Sequence, residues 1–126
     1  MNPSDQARQA VVVDSWLADF AVSGSAVNPG AGVVIADTGE LPEGYYDLQI
    51  LVSVLLATVW ADPRIQHRDA ANAVSLFEQW VALPATSTLF CDLNNRQVSA
   101  GERIRVVATN AITNSIFATI IGVKRA

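Results

Sequence analysis

Charge is what this chain has least of. Only 16% of its residues are Asp, Glu, Lys or Arg, while 51% are hydrophobic; an ordinary globular domain is about a quarter charged. Two readings of the shortfall stand open. Either the surface is neutral and rich in Ser, Thr, Asn and Gln, or part of the monomer surface is buried against other subunits. The charge that is present leans acidic, with a net value of −4. That excludes nucleic acid as a partner, since nucleic-acid binding needs a basic footprint. It also gives no support for an anionic membrane surface. The acids are scattered and form no tail.

Cysteine and histidine are equally scarce. Cys91 is the only cysteine, so no intrachain disulfide exists and the chain is not a disulfide-stapled secreted domain. Cys91 is expected as a small buried apolar residue, because a reactive thiol needs an electropositive neighbourhood. His67 is the only histidine, and a zinc site takes about four ligands. The expectation is therefore no metal, no cofactor, and a loop histidine making local hydrogen bonds. Metal-dependent enzymes on related β folds, the cupins, carry two close histidines and a glutamate on a strand, which this chain lacks.

Other catalytic signatures are missing as well. There is no Gly-x-Ser-x-Gly elbow. Gly30-Ala31-Gly32 lacks the lysine and the following helix of a phosphate loop. Asp37, Glu40, Glu43 and Asp62 fall in expected turns and not as paired carboxylates. No catalytic residue is assigned, and the chain is read as not an enzyme. The longest apolar run, Leu48 to Trp60, is far short of the roughly 20 residues of a membrane helix. The polar N-terminus, MNPSDQARQ, has no basic start before an apolar run, so no signal peptide or transmembrane segment is expected.

What the chain has is two-residue alternation. Tyr46, Leu48, Ile50, Val52 and Val54 share one face of a long strand, Tyr45 to Val54. Tyr45, Asp47, Gln49, Leu51 and Ser53 share the other, more polar face. Glu102 to Ala108 alternates Ile104, Val106 and Ala108 against Arg103, Arg105 and Val107. Ser115 to Val123 sets Ile116, Ala118, Ile120 and Gly122 against Phe117, Thr119, Ile121 and Val123, and both faces are largely apolar. Shorter strands are expected at Val33 to Asp37, Arg64 to His67 and Thr86 to Leu93, the last ending in a turn at Asn94-Asn95. Ala10 to Phe20 and Ala73 to Leu83 fit either period, and strand is preferred for both. Ser23 to Gly32 reads as a loop around Asn28-Pro29-Gly30.

The count is about eight strands and no helix. It predicts an all-β fold, an antiparallel two-sheet β-sandwich of jelly-roll kind. Residues 1–9 form a polar N-terminal arm and residues 10–126 a single domain. Trp16, Trp60 and Trp80 with Tyr45 and Tyr46 are read as core or interface anchors, the other reading being a sugar-stacking platform. The expected subunit-contact residues are Trp80, Phe117, Thr119 and Ile121.

Three segments in order carry a resemblance: Asp37-Thr38-Gly39-Glu40-Leu41-Pro42-Glu43-Gly44-Tyr45-Tyr46-Asp47, then Gln66-His67-Arg68-Asp69-Ala70-Ala71-Asn72, then Ala100-Gly101-Glu102-Arg103-Ile104-Arg105-Val106-Val107 before a strand ending Ala118-Thr119-Ile120-Ile121. Over about residues 33 to 124 the chain resembles small jelly-roll proteins of tailed-phage virions, of the capsid decoration or cement kind. The Ala100 to Ile104 step is also similar to the approach to the penultimate strand in trimeric tumour-necrosis-factor-like and C1q-like heads. The resemblance implies a homo-oligomer, a trimer, seated on a major capsid protein at the virion surface. It brings no catalytic residues. The alternative is a carbohydrate- or receptor-binding head of a phage fibre or lectin. A third reading is a small-molecule enzyme on the same scaffold.

Overall fold

A computed structural model describes residues 18–55, 62–81, 87–109 and 115–125. Eight strands follow one another: β1 Phe20–Val27, β2 Val34–Asp37, β3 Gly44–Leu55, β4 Pro63–Arg68, β5 Ser75–Trp80, β6 Ser87–Val98, β7 Arg103–Ala108 and β8 Ser115–Lys124. They build two four-stranded sheets. Sheet A has the order β1-β8-β3-β6 and sheet B the order β2-β7-β4-β5, and every pairing is antiparallel.

The pairings explain how this order arises. β1 pairs with β8, β2 with β7, β3 with β6 and β4 with β5. The chain is therefore one long double strand, folded at β4–β5 and rolled so that successive pairs land on alternate sheets. That is the jelly-roll topology. The expected fold class is the observed one.

Alternation fills the space between the sheets. Tyr46, Leu48, Ile50, Val52 and Val54 of β3 meet Ile116, Ala118 and Ile120 of β8 on the inner face of sheet A, and Ile65, Ile104, Val106 and Ala108 cover them from sheet B. Each buried Ile or Leu stabilises the fold by roughly 1.5–3 kcal/mol. Two glycines permit close approach. A methyl group added at Gly24 would overlap the carbonyl oxygen of Ile35, where β1 crosses against β2. One added at Gly122 would overlap the ring of Phe20, which lies 6.0 Å from the ring of Tyr46.

Three expectations are corrected. Ser23 to Val27 is not loop but the second half of β1. Its small residues look like a linker, yet Phe20, Val22, Gly24 and Ala26 keep the inward period against β8. Asn94-Asn95 does not end the strand, because β6 continues to Val98. Between Leu48 and Tyr46 the register of β3 advances two residues while β6 advances three, from Leu93 to Arg96. This is a β-bulge. Asn95 takes φ 54°, a conformation Asn tolerates well, and its N–H donates to Asp47 Oδ1 at 2.8 Å. His67 is not a loop histidine; it lies in β4, over the strand expected from Arg64 to His67, and is buried.

The expected strand from Ala10 falls mostly outside the described residues, as do the N-terminal arm, Trp16, Trp60 and Pro84. The preference for strand at Ala73 to Leu83 holds over β5.

Candidate functional site

The outer faces of the two sheets differ sharply. On sheet A the register sets Ser25, Phe117, Ser53 and Thr88 in one row, then Ser23, Thr119, Leu51 and Phe90, then Ala21, Ile121, Gln49 and Asp92. Of these twelve positions only Asp92 is charged. Phe90 is 55% exposed, Phe117 41% and Leu51 38%. The side chains between them are hydroxyls that bond across strands: Ser23 with Thr119 at 3.0 Å, and Thr88 to Ser53 at 3.3 Å. Soluble monomers keep such apolar fields small.

Sheet B presents charge instead. Its outer rows are Trp80, Arg64 and Val107, then Glu78, Gln66, Arg105 and Asp37, then Ser75, Arg68 and Arg103. Arg64 donates to Glu78 at 3.0 Å and its guanidinium lies 3.5 Å over the Trp80 ring, a close cation–π contact. Gln66 Nε2 donates to Glu78 at 2.5 Å, and Arg103 pairs with Asp37 at 3.3 Å. Arg105 Nε donates to Gln66 Oε1 at 2.8 Å. Burial, and after it the neighbouring charge of Arg68, lower the Arg105 pKa from its ordinary value.

The expected contact residues are thus divided. Phe117, Thr119 and Ile121 share the outer face of sheet A, whereas Trp80 stands on the outer face of sheet B, across the molecule. Leu51 and Phe90 belong with the first three and were missed. Leu51 lies between Gln49 and Ser53 on the more polar face of β3, and its place beside Phe90 emerges only from the β3–β6 register.

A polar chain runs through the interior. The bulge at Asn95 turns Arg96 inward, where its guanidinium lies 4.4 Å from the Phe77 ring and its Nε donates to His67 Nδ1 at 2.9 Å. Arginine is always a donor, so Nδ1 must accept and Nε2 carries the ring proton. Nε2 then donates to Glu102 Oε1 at 2.8 Å. This contact is therefore a hydrogen bond from a neutral ring to a carboxylate. Glu102 Oε1 also accepts from the Ser99 N–H at 2.8 Å, which fixes the β6–β7 turn. Both ring nitrogens are engaged, and Arg96 sits beside the site as a fixed positive charge. The chemistry here is structural.

Cys91 faces the interior, with Gln79 Nε2 at 3.7 Å from its sulfur. Burial, followed by the charge of Asp92, pushes its thiol pKa up. Among the described residues no group of three His, Cys, Asp or Glu side chains is placed to hold a metal ion. No helix there is long and apolar enough to cross a membrane.

At the end of β3 and β6 a cleft of about 360 Å³ is lined by Glu43, Tyr45, Gln97, Ser99 and Lys124. Tyr45 and Gln97 are cross-strand partners on the outer side of sheet A, and β6 is an edge strand.

No protein-family model matches the chain, and no curated protein matches it. Among solved structures it is similar to the C-terminal family 22 carbohydrate-binding module of Clostridium thermocellum Xyn10B, at 11% identity and a TM-score of 0.41, over 88% of this chain and 94% of that one.

Proposed function

We propose that this protein is a non-enzymatic structural subunit of a phage virion, a decoration or cement protein that associates with copies of itself as a trimer and seats on the capsid. The observation that carries the reading is the field of three rows on the outer face of sheet A in which only Asp92 is charged, with Leu51, Phe90 and Phe117 exposed at its centre. A chain of net charge −4 self-associates at least cost through a field with little like charge. These three rows have one acid in twelve positions, with Asp47 in the row beyond them, while the opposite face carries six charged residues. The twelve positions cover roughly 400 Å² of sheet, at about 4.8 Å between strands and 6.8 Å between alternate residues. A standard interface takes about 800 Å² per partner, so the contact extends past this field, and exposed Val27 adjoins it at the end of β1.

The resemblance to jelly-roll virion proteins supplies the capsid. The test is co-expression with the major capsid protein of the genome that encodes this chain, followed by sedimentation of assembled shells. The protein is expected to travel with the shells, and in isolation to give a light-scattering mass near three chains. A free monomer that ignores the shells refutes the reading.

The cleft at Tyr45, Gln97 and Lys124 favours a second reading, a saccharide-binding head. It offers an exposed aromatic ring beside an amide, a carboxylate and an ammonium, the mix by which a pocket orients a polar ligand. A glycan array tests it: binding that Tyr45→Ala removes supports this reading, and a blank array rejects it.

A further inference from the structure

The outer face of sheet B holds four of the chain's eight basic residues, Arg64, Arg68, Arg103 and Arg105, and two of its twelve acids, Asp37 and Glu78. The face is positive while the rest of the chain is strongly negative. Three of the arginines are immediate neighbours. Arg68 stands directly opposite Arg103, and Arg105 follows two residues along β7. Directly opposed side chains on a sheet are about 5 Å apart at Cβ and diagonal ones about 7–8 Å. Like charges at such spacings destabilise one another, and nothing in a strand's packing demands arginine at an outward position.

The three are not equally neutralised. Arg103 has Asp37, yet its Nε is buried without a hydrogen-bond partner among the described residues. Arg68 spends its donors on neutral groups, Asn72 Oδ1, the Asn72 carbonyl and Ser75 Oγ. Arg105 donates only through Nε, to the Gln66 side chain, so both its terminal nitrogens stand open among the described residues. Its guanidinium is half-buried; Arg68 and Arg103 press on it electrostatically, while Asp37, opposite it on β2 and paired with Arg103, attracts it. A half-buried guanidinium with an open fork and no carboxylate hydrogen-bonded to it among the described residues is suited to bidentate recognition of an oxyanion. The face's net surplus of two positive charges, Arg105 included, favours a dianion over a single carboxylate.

We propose that Arg105, flanked by Arg68 and Arg103, forms a binding site for a doubly charged oxyanion of the sulfate or hydrogen-phosphate class. The site lies on the sheet opposite the apolar field and does not depend on what covers that field. The oxyanion is either a free ion or a group carried on a polysaccharide, and the two sources separate by affinity.

The experiment is NMR titration of the arginine Nε–Hε resonances with sodium sulfate below about 10 mM, under the range where sulfate acts through general exclusion from protein surfaces. Sodium chloride at matched ionic strength serves as the control. The expected result is a saturable shift of the Arg103 and Arg105 signals with sulfate and none with chloride. Arg105→Gln, which keeps the side-chain stem and a donor, should weaken binding about tenfold, as judged from the remaining Arg103 signal. Arg125→Gln, remote and exposed, should change nothing. A sulfated oligosaccharide that binds more tightly than inorganic sulfate through the same residues assigns the polymer as the source; equal affinity assigns the free ion. Chloride matching sulfate overturns the site, and so does sulfate binding that survives both Arg105→Gln and Arg68→Gln in folded variants.

Discussion

Side chains on opposite faces of β8 should answer differently to the same substitution. Ile120 is fully buried and stands between Val22 and Ile50. Ile120→Asp places a carboxylate among aliphatic neighbours with no donor supplied, which costs several kcal/mol even after relaxation. A domain of this size has about 5–15 kcal/mol in total, so Ile120→Asp should not fold. Phe117 points the other way and already has 41% of its surface exposed. Its covered part represents roughly 1.5 kcal/mol of a full-burial value near 2–3 kcal/mol, and a domain tolerates that loss. The exposed part is about 80 Å² of a ring's roughly 200 Å², worth about 2 kcal/mol if a neighbouring subunit covers it. That is about a thirtyfold change in dissociation constant per contact, before the cost of burying the new carboxylate is added.

Circular dichroism and light scattering after size exclusion read the two effects separately. Phe117→Asp is expected to give a wild-type spectrum and a monomer mass, and Ile120→Asp an unfolded chain. If Phe117→Asp stays assembled, the outer face of sheet A is not the contact and the argument from its missing charge fails. If both variants unfold, β8 depends on both of its faces for folding, and exposure of Phe117 has been misjudged as free surface.

Other outcomes follow from the same geometry. Gly24→Ala should lower the melting temperature by several degrees, because the clash is with the Ile35 backbone and overpacking costs about 1–3 kcal/mol; an unchanged midpoint would mean that β1 can move off β2. Arg96→Met should cost about 1–3 kcal/mol by leaving His67 Nδ1 without its donor, read by urea denaturation. Cys91 should resist a thiol reagent at pH 8 in the native protein and react at once when unfolded. Its raised pKa means that the stability it carries is present below the ordinary thiol value and lost as pH rises through the folded value; Cys91→Ala should flatten that alkaline slope. Asp69, whose pKa the Ala73 and Val74 N–H groups lower, works in the other direction. Its contribution to the β4–β5 turn is present above the ordinary carboxylate pKa and lost as pH falls through the lowered one, which the Ala73 and Val74 amide shifts should report.

The strands with clean alternation were legible in the sequence. β3, β7 and β8 have inward sets at every second residue, and a period of two leaves no other way to bury them. β1 was not legible, because Gly24 and Ser25 carry loop chemistry; only the closeness of the Ile35 backbone requires a residue without a side chain there. Nor was the far end of β6. Asn94-Asn95 reads as a turn, and it becomes a bulge because β3 runs alongside and Asp47 captures the Asn95 N–H. Arg103 and Arg105 were visible as one face of a strand, but Arg68 joins them only through the β4–β7 register, which no local pattern contains.

The interior argues for surfaces as the working parts of this molecule. Between the sheets the space is filled by aliphatic side chains, and the polar groups that enter it satisfy one another. Arg96, His67 and Glu102 use their facing donors and acceptors among themselves and on the Ser99 N–H. A ligand could displace that chain only by replacing hydrogen bonds to a half-buried cation, a buried ring and a carboxylate at once, each loss costing about 1–3 kcal/mol. Outside, no such debt exists. The apolar field of sheet A, the open Arg105 fork of sheet B and the Tyr45 cleft can each be engaged without breaking an internal hydrogen bond of that chain. The rolled topology is what permits this separation: each strand gives one face to the core and leaves the other free to vary, so a neutral field and a charged one can be carried on opposite sides of the same packed interior.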